Sequence, residues 1–108
     1  MHQGSGPLDA KLWVVGTFPS AQDLENNEVF SEKAGQLVKK YIRKSGVTSI
    51  RYEYLIGDRP PNNRFAYFEE DGQQREVLLD SVGSLLGRVR ESCPNVILLL
   101  GEKPLYHF

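Results

Sequence analysis

Three short segments hold the residue types able to do chemistry. Gly16-Thr17-Phe18-Pro19-Ser20, Gly57-Asp58-Arg59-Pro60-Pro61-Asn62-Asn63-Arg64 and Gly101-Glu102-Lys103-Pro104 each follow an apolar run. The first lacks the Gly-x-x-x-x-Gly-Lys-Ser/Thr spacing that wraps a nucleoside triphosphate and the Gly-x-Gly-x-x-Gly turn that receives a dinucleotide. Its Thr17 hydroxyl is no general base at neutral pH without a basic partner. In the second segment, Arg59 and Arg64 flank a Pro-Pro turn, where an arginine either pairs with a phosphate or is an ordinary surface charge. Cys93 is the single cysteine, which excludes an internal disulfide and a cysteine-built zinc or iron-sulfur cage. His2 and His107 lie near opposite ends of the chain with no acidic ligand motif around them, so neither a metal nor another cofactor is expected.

The elements that must position these segments follow from the hydrophobic pattern. Leu12 to Val15 is a short apolar run ending at Gly16, the mark of a strand buried on both faces as in a parallel sheet. Gly16 to Ser31 shows no sustained period and reads as a long functional loop. Ala34, Leu37, Val38, Tyr41 and Ile42 then recur at helical spacing, predicting a helix over Glu32 to Ser45 with Ser31 as N-cap and Gly46 as the stop. Lys39, Lys40, Arg43 and Lys44 sit where the helix dipole favours positive charge, so capping and solubility account for them. Ile50, Tyr52, Tyr54 and Ile56 alternate as in a strand over Ile50 to Ile56. Phe65, Tyr67 and Phe68 fit either a short strand or a flap over the core. Leu78, Val82, Leu85, Leu86 and Val89 trace a helix over about Gln74 to Glu91, closed by Pro94. Val96 to Leu100 is a third buried strand, and Pro104 is tolerated in the first turn of a helix after Gly101. Long crossovers between the strands argue for a parallel sheet with right-handed connections, and in such sheets ligands bind beyond the carboxyl ends of the strands, where all three loop segments arrive.

Composition bounds the class. The chain has 108 residues, 40% of them hydrophobic and 25% charged, with 13 basic and 14 acidic side chains for a net charge of −1. That is the make-up of one ordinary globular domain, and nothing in the overall balance announces a polyanion or a membrane. The longest apolar run, Val96-Ile97-Leu98-Leu99-Leu100, is far short of the ~20 residues a membrane span needs, and Met1 to Pro7 carries no signal-peptide core. A cytoplasmic location is the default expectation, with no membrane partner.

Read together, these segments resemble the uracil-DNA glycosylase superfamily, specifically its iron-sulfur branch found in thermophiles, many bacteria and phages. Gly4-Ser5-Gly6 through Leu12-Trp13-Val14-Val15-Gly16-Thr17-Phe18-Pro19-Ser20 is similar to that branch's Gly-x-Gly lead-in, first strand and Gly-Glu-Ala-Pro-Gly water-activating loop. Glu28-Val29-Phe30 with Ala34-Gly35-Gln36-Leu37 resembles its Pro-Phe-x-Gly-x-Ala-Gly-x-Leu segment. Arg59-Pro60-Pro61-Asn62-Asn63-Arg64 resembles Arg-Pro-Pro-Gly-Asn-Arg, and Pro94 to Gly101 resembles the strand before the family's next helix.

The resemblance implies a three-layer α/β domain over residues 1–108, about three parallel strands flanked by helices, equivalent to the first half of a uracil-DNA glycosylase fold and truncated after the third strand. It places Phe30, Phe18 and Tyr54 around a flipped base, Gly16 and Pro19 at the loop mouth, and Arg59 and Arg64 on DNA phosphates. Stacking by Phe30 and a role as core plug both remain open for that residue, and Tyr52, Tyr54, Phe65, Tyr67 and Phe68 read more readily as core and flap than as a base platform. Thr17 stands where the family has its acid, so no catalytic residue is assigned with certainty; Asp23 and Glu25 are solvated loop acids unless one replaces that acid. Tyr54 stands where the family reads uracil with an asparagine, and a phenol offers no paired amide donor and acceptor. Asp58 replaces a cluster cysteine, so no iron-sulfur cofactor is expected. The catalytic histidine that follows a fourth strand in the family has no counterpart here, and His107 does not match it. The expected function is a degenerate, non-catalytic glycosylase-like module that binds DNA weakly or docks on a replication or repair protein. The alternative is part of an active glycosylase for a deaminated base, completed by further sequence. The open edge of the third strand implies a homo-oligomer or a partner that covers it.

Overall fold

Leu12–Gly16 forms the central strand β1 of a three-stranded parallel sheet in order β2-β1-β3, where β2 is Ile50–Tyr54 and β3 is Val96–Leu99; the computed structural model describes residues 1–108. Trp13, Val14 and Val15 are fully buried, as expected of a strand with a layer on each side. In register, Val14 lies beside Tyr52 and Gly16 beside Tyr54 on one flank, and Trp13 and Val15 lie beside Ile97 and Leu99 on the other. The pleat therefore sends Trp13, Val15, Ile97 and Leu99 to one face, and Val14, Tyr52 and Tyr54 to the opposite one.

The first face carries the main core. Leu78, Val82 and Leu85 of a 21-residue helix, Gly72–Ser92, pack against Trp13, Val15, Leu55 and Ile56. Asp71 caps that helix by accepting from the N–H groups of Gln73 and Gln74, and Cys93 closes it in the left-handed conformation. Trp13 donates its indole N–H to Ser92 at 3.2 Å, tying the end of the helix to the central strand. On the opposite face lies the helix Lys33–Lys44, which buries Ile42 and sets Gly35 against Phe30. Helices on both faces of a parallel sheet make the three-layer α/β arrangement expected from the sequence. In chain order the helices are α1 (Ala21–Asn26), α2 (Lys33–Lys44), α3 (Ala66–Glu70), α4 (Gly72–Ser92) and α5 (Glu102–His107).

Several expectations need correction. The segment Gly16 to Ser31 contains helix α1, which Ser20 starts by a reciprocal capping box with Asp23. Ser31 does not cap α2: Glu32 occupies the N-cap without a side-chain bond, and the Ser31 hydroxyl turns to Asp23. Phe65, Tyr67 and Phe68 form neither strand nor flap; Phe65 and Phe68 enter the core around the short helix α3. Strand β2 ends at Tyr54, although Leu55 and Ile56 continue the ladder by donating to the carbonyls of Gly16 and Thr17. Strand β3 is buried on only one face, with Val96 58% and Leu98 38% exposed on the other. The outer edge of β2 is met by an antiparallel bridge from Ser5 to Tyr52, and no strand lies on the outer edge of β3. No helix is long and apolar enough to cross a membrane.

The core assignment predicts a contrast within α4. Leu85→Ala removes a fully buried side chain and should lower the unfolding free energy by about 2–5 kcal/mol. Leu79→Ala, at a position 50% exposed on the same helix, should change it by less than about 0.5 kcal/mol. Urea titrations of the two variants give the comparison directly.

Candidate functional site

Beyond the carboxyl end of β1, a cavity of about 440 Å³ opens between the loop that leaves β1, the start of α2 and the end of β2. Gly16, Thr17, Phe18, Phe30 and Tyr54 line it, with Asp23, Glu32 and Gly35. Most residues singled out by sequence therefore come together. Pro19, expected at the loop mouth, is fully buried and does not line the cavity. Arg59 and Arg64 do not line the cavity; both are exposed, and Arg59 donates to the Asn63 side chain at 2.8 Å. Glu25 is exposed on α1, away from the lining. Leu100, just before the third segment, lines the cavity, and Thr17 Oγ1 lies close to Gly101.

Phe30 is set by small neighbours. A Cβ on Gly16 would come within 2.7 Å of the Phe30 ring, and one on Gly35 within 2.5 Å of the Phe30 Cβ, so both glycines are required for the aromatic to lie where it does. The ring meets Tyr52 and Tyr54 edge-on at centroid distances of 5.5 and 5.1 Å. Its backbone is left-handed, with φ of 48°, a conformation that costs a non-glycine residue about 1–2 kcal/mol. What holds it is a hydrogen bond from the Phe30 N–H to the Tyr54 hydroxyl at 2.9 Å.

Tyr54 in turn donates its hydroxyl proton to Asp23 Oδ2 at 2.7 Å. Asp23 is 4% exposed, and its two oxygens accept four bonds, Oδ2 from Tyr54 and the Ser20 N–H and Oδ1 from the Ser31 hydroxyl and N–H, while the Asp23 N–H donates a fifth to the Ser20 hydroxyl. Four of these bonds reach the carboxylate, whose lone pairs number about four. Burial alone would raise the Asp23 carboxyl, but the hydrogen bonds from Ser31, Tyr54 and Ser20 outweigh it and hold it below the usual aspartate range. Burial pushes the Tyr54 phenol well above its ordinary value; the Phe30 N–H opposes this and Asp23 adds to it. Ser31 is fastened further through its carbonyl, which accepts from Gln36 at 2.8 Å.

Asp23 is thus not the solvated loop acid weighed from sequence; it is buried and anchors the site. The signal for it was Ser20-x-x-Asp23, a capping-box spacing inside a segment read as loop. Sequence reading also passed over Glu32, the other carboxylate on the lining, which carries no side-chain cap bond.

The residues of this chain do not fit an iron-sulfur cluster: Cys93, its one cysteine, sits exposed at the far end of α4, and no three His, Cys, Asp or Glu side chains converge.

Two outcomes follow from the Asp23 network. Tyr54→Phe deletes a donor to Asp23 and the acceptor for the Phe30 N–H, and should cost about 1–3 kcal/mol in urea unfolding. Because the Asp23 carboxyl titrates lower when folded than when unfolded, its contribution is fully present above the unfolded value. That contribution is lost as pH falls through the folded value. Asp23→Asn should therefore flatten the fall in stability below about pH 4; an acid limb unchanged by the substitution would remove Asp23 from this role.

No family model matches the chain. Over 107 residues, 97% of its length, the chain is 29% identical to the type-4 uracil-DNA glycosylase of Thermotoga maritima, and it spans 52% of that protein. The chain therefore covers about half the length of the curated relative it matches. Together with the parallel sheet, this likeness supports the resemblance read from the motifs, a relationship to the uracil-DNA glycosylase superfamily in which an N-terminal half fits.

Proposed function

We propose that the chain is a degenerate glycosylase-like module that receives a nucleobase at the strand ends and binds nucleic acid weakly without cleaving the glycosidic bond. The observation that carries this reading is the saturation of Asp23. A carboxylate that accepts four hydrogen bonds and sits at 4% exposure has no oxygen left to orient water. Thr17 supplies no acid in its place, and the Tyr54 hydroxyl is committed to Asp23 and Phe30 and so is not offered to a base edge. Phe30 is the surface left for a base, since stacking on an aromatic contributes about 1–3 kcal/mol whatever the base. DNA as the ligand is drawn from the activity named for the Thermotoga relative. Arg59 and Arg64, exposed on the loop after β2, fit phosphate contacts outside the cavity. The free outer edge of β3 supports docking of a second copy or of a replication or repair protein there.

One observation favours a second reading. Glu32 is exposed at the rim of the same cavity, and its carboxylate accepts no hydrogen bond from the N–H groups of the helix it caps. In a working glycosylase for a deaminated base, this is the carboxylate free to orient water.

An excision assay on single-stranded and duplex DNA carrying uracil, hypoxanthine or xanthine separates the two. No base release above the spontaneous rate is expected, from the chain itself or from Thr17→Glu. Release that Glu32→Gln abolishes would establish the second reading. In binding assays, Phe30→Ala should weaken DNA by about 1–3 kcal/mol with the salt dependence unchanged, because stacking releases no counterions. Unaltered binding would remove the base from the pocket.

A further inference from the structure

Helix α2 presents an outer face that the fold leaves uncompensated. Lys33–Lys44 carries five cations and no acid in a chain of net charge −1, so the remainder of the molecule is net acidic. Only Lys39 is engaged, bridging to Glu28 at 3.4 Å and donating to the Val29 carbonyl at 2.7 Å. Lys33, Lys40, Arg43 and Lys44 are exposed and form no ion pair. Spacing of i, i+7 and i+11 puts Lys33, Lys40 and Lys44 in one row, with Arg43 beside it, over about 16 Å of helix. A shallow groove of about 970 Å³ runs along Lys33, Lys40 and Arg43, lined also by Gln36, Leu37 and the Glu28–Lys39 pair.

Interaction with the helix dipole explains the late cations but not Lys33. It sits in the first turn, where the dipole disfavours positive charge, and that turn holds no acid. Glu32 beside it faces the base cavity. The row also has an aromatic neighbour: Tyr41 is 62% exposed, with the Lys44 ammonium 5.9 Å from its ring centre. Cations in register with an exposed ring are what a single nucleic-acid strand requires, phosphates for the first and a base face for the second.

We propose that the outer face of α2 is a track for single-stranded DNA, with Lys33, Lys40, Arg43 and Lys44 on successive phosphates and Tyr41 stacked on a base. The track leads to the cavity, because Lys33 is followed directly by Ala34 and Gly35, which line it beside Phe30. This assignment rests on the reading of the chain as a nucleic-acid-binding module and adds the path of the strand, which the exposed arginines after β2 do not supply.

Fluorescence anisotropy of a labelled oligothymidylate at several salt concentrations tests it, with circular dichroism confirming each fold. The variant Lys33→Gln/Lys40→Gln/Lys44→Gln keeps good helix formers at exposed positions. It should bind at least tenfold more weakly at low salt and lose about two units of the logarithmic salt slope, near 0.7 per phosphate contact on a single strand. Tyr41→Ala should weaken binding severalfold without altering the slope. Binding by the parent chain that the triple variant leaves intact, and that Arg59→Gln/Arg64→Gln reduces instead, would overturn the track and leave the module reading standing. Loss of binding in the triple variant with none in Phe30→Ala would uphold the track and overturn the base pocket. Equal affinity for a blunt duplex would overturn the single-strand assignment, because a paired base offers Tyr41 no free face, and absence of any binding by the parent chain would overturn both.

Discussion

A buried carboxylate must have its lone pairs filled, and in this fold that requirement falls on Asp23. Its donors come from three places: Ser20 at the end of the loop leaving β1, Ser31 before α2, and, 31 residues away in sequence, Tyr54 at the end of β2. Satisfying one charged group therefore fixes where α1 begins, where the chain turns into α2, and how the last residue of β2 lies. An unsatisfied charge at that depth would cost several kcal/mol, far more than any single apolar contact nearby contributes. The cavity beyond β1 is the space these constraints leave.

The same constraint bears on what the cavity can do. Asp23, its lone pairs filled, has no oxygen to spare for water, which leaves Glu32 as the carboxylate on the lining that a hydrolytic step would use. Tyr54 closes the network from the β2 side, holding Phe30 in a left-handed conformation against Gly16 and Gly35. One hydroxyl therefore serves both the fold and the shape of the cavity. In the proposed role Phe30 would offer a base its face, a contact indifferent to base identity, so selectivity would have to come from elsewhere.

The sheet and its two long helices were legible because they rest on periodicity: β1, β2, β3, α2 and α4 all lie within a few residues of where their apolar patterns place them. The gathering of Gly16, Thr17, Phe18, Phe30 and Tyr54 was legible from motif order and from the rule that ligands lie beyond strand ends. The parts that were not legible depend on tertiary contacts. Asp23 reads as a loop acid until Tyr54, distant in sequence, is seen to reach it. Phe65 and Phe68 lack a period because α3 spans barely more than one turn. The exposed face of β3 could not be told from a buried strand, since Val96 to Leu99 is apolar at every position and only the packing on each side distinguishes them.

The central claim, that the Asp23 carboxylate is wholly spent on holding the site together, is tested most directly by carboxyl-carbon NMR through an acid titration of the folded chain. Four donors to the carboxylate require the Asp23 signal to titrate below the ordinary aspartate midpoint of about 3.9. A midpoint at or above that value would mean that the four donors do not outweigh burial, which contradicts an Asp23 carboxylate held by all of them.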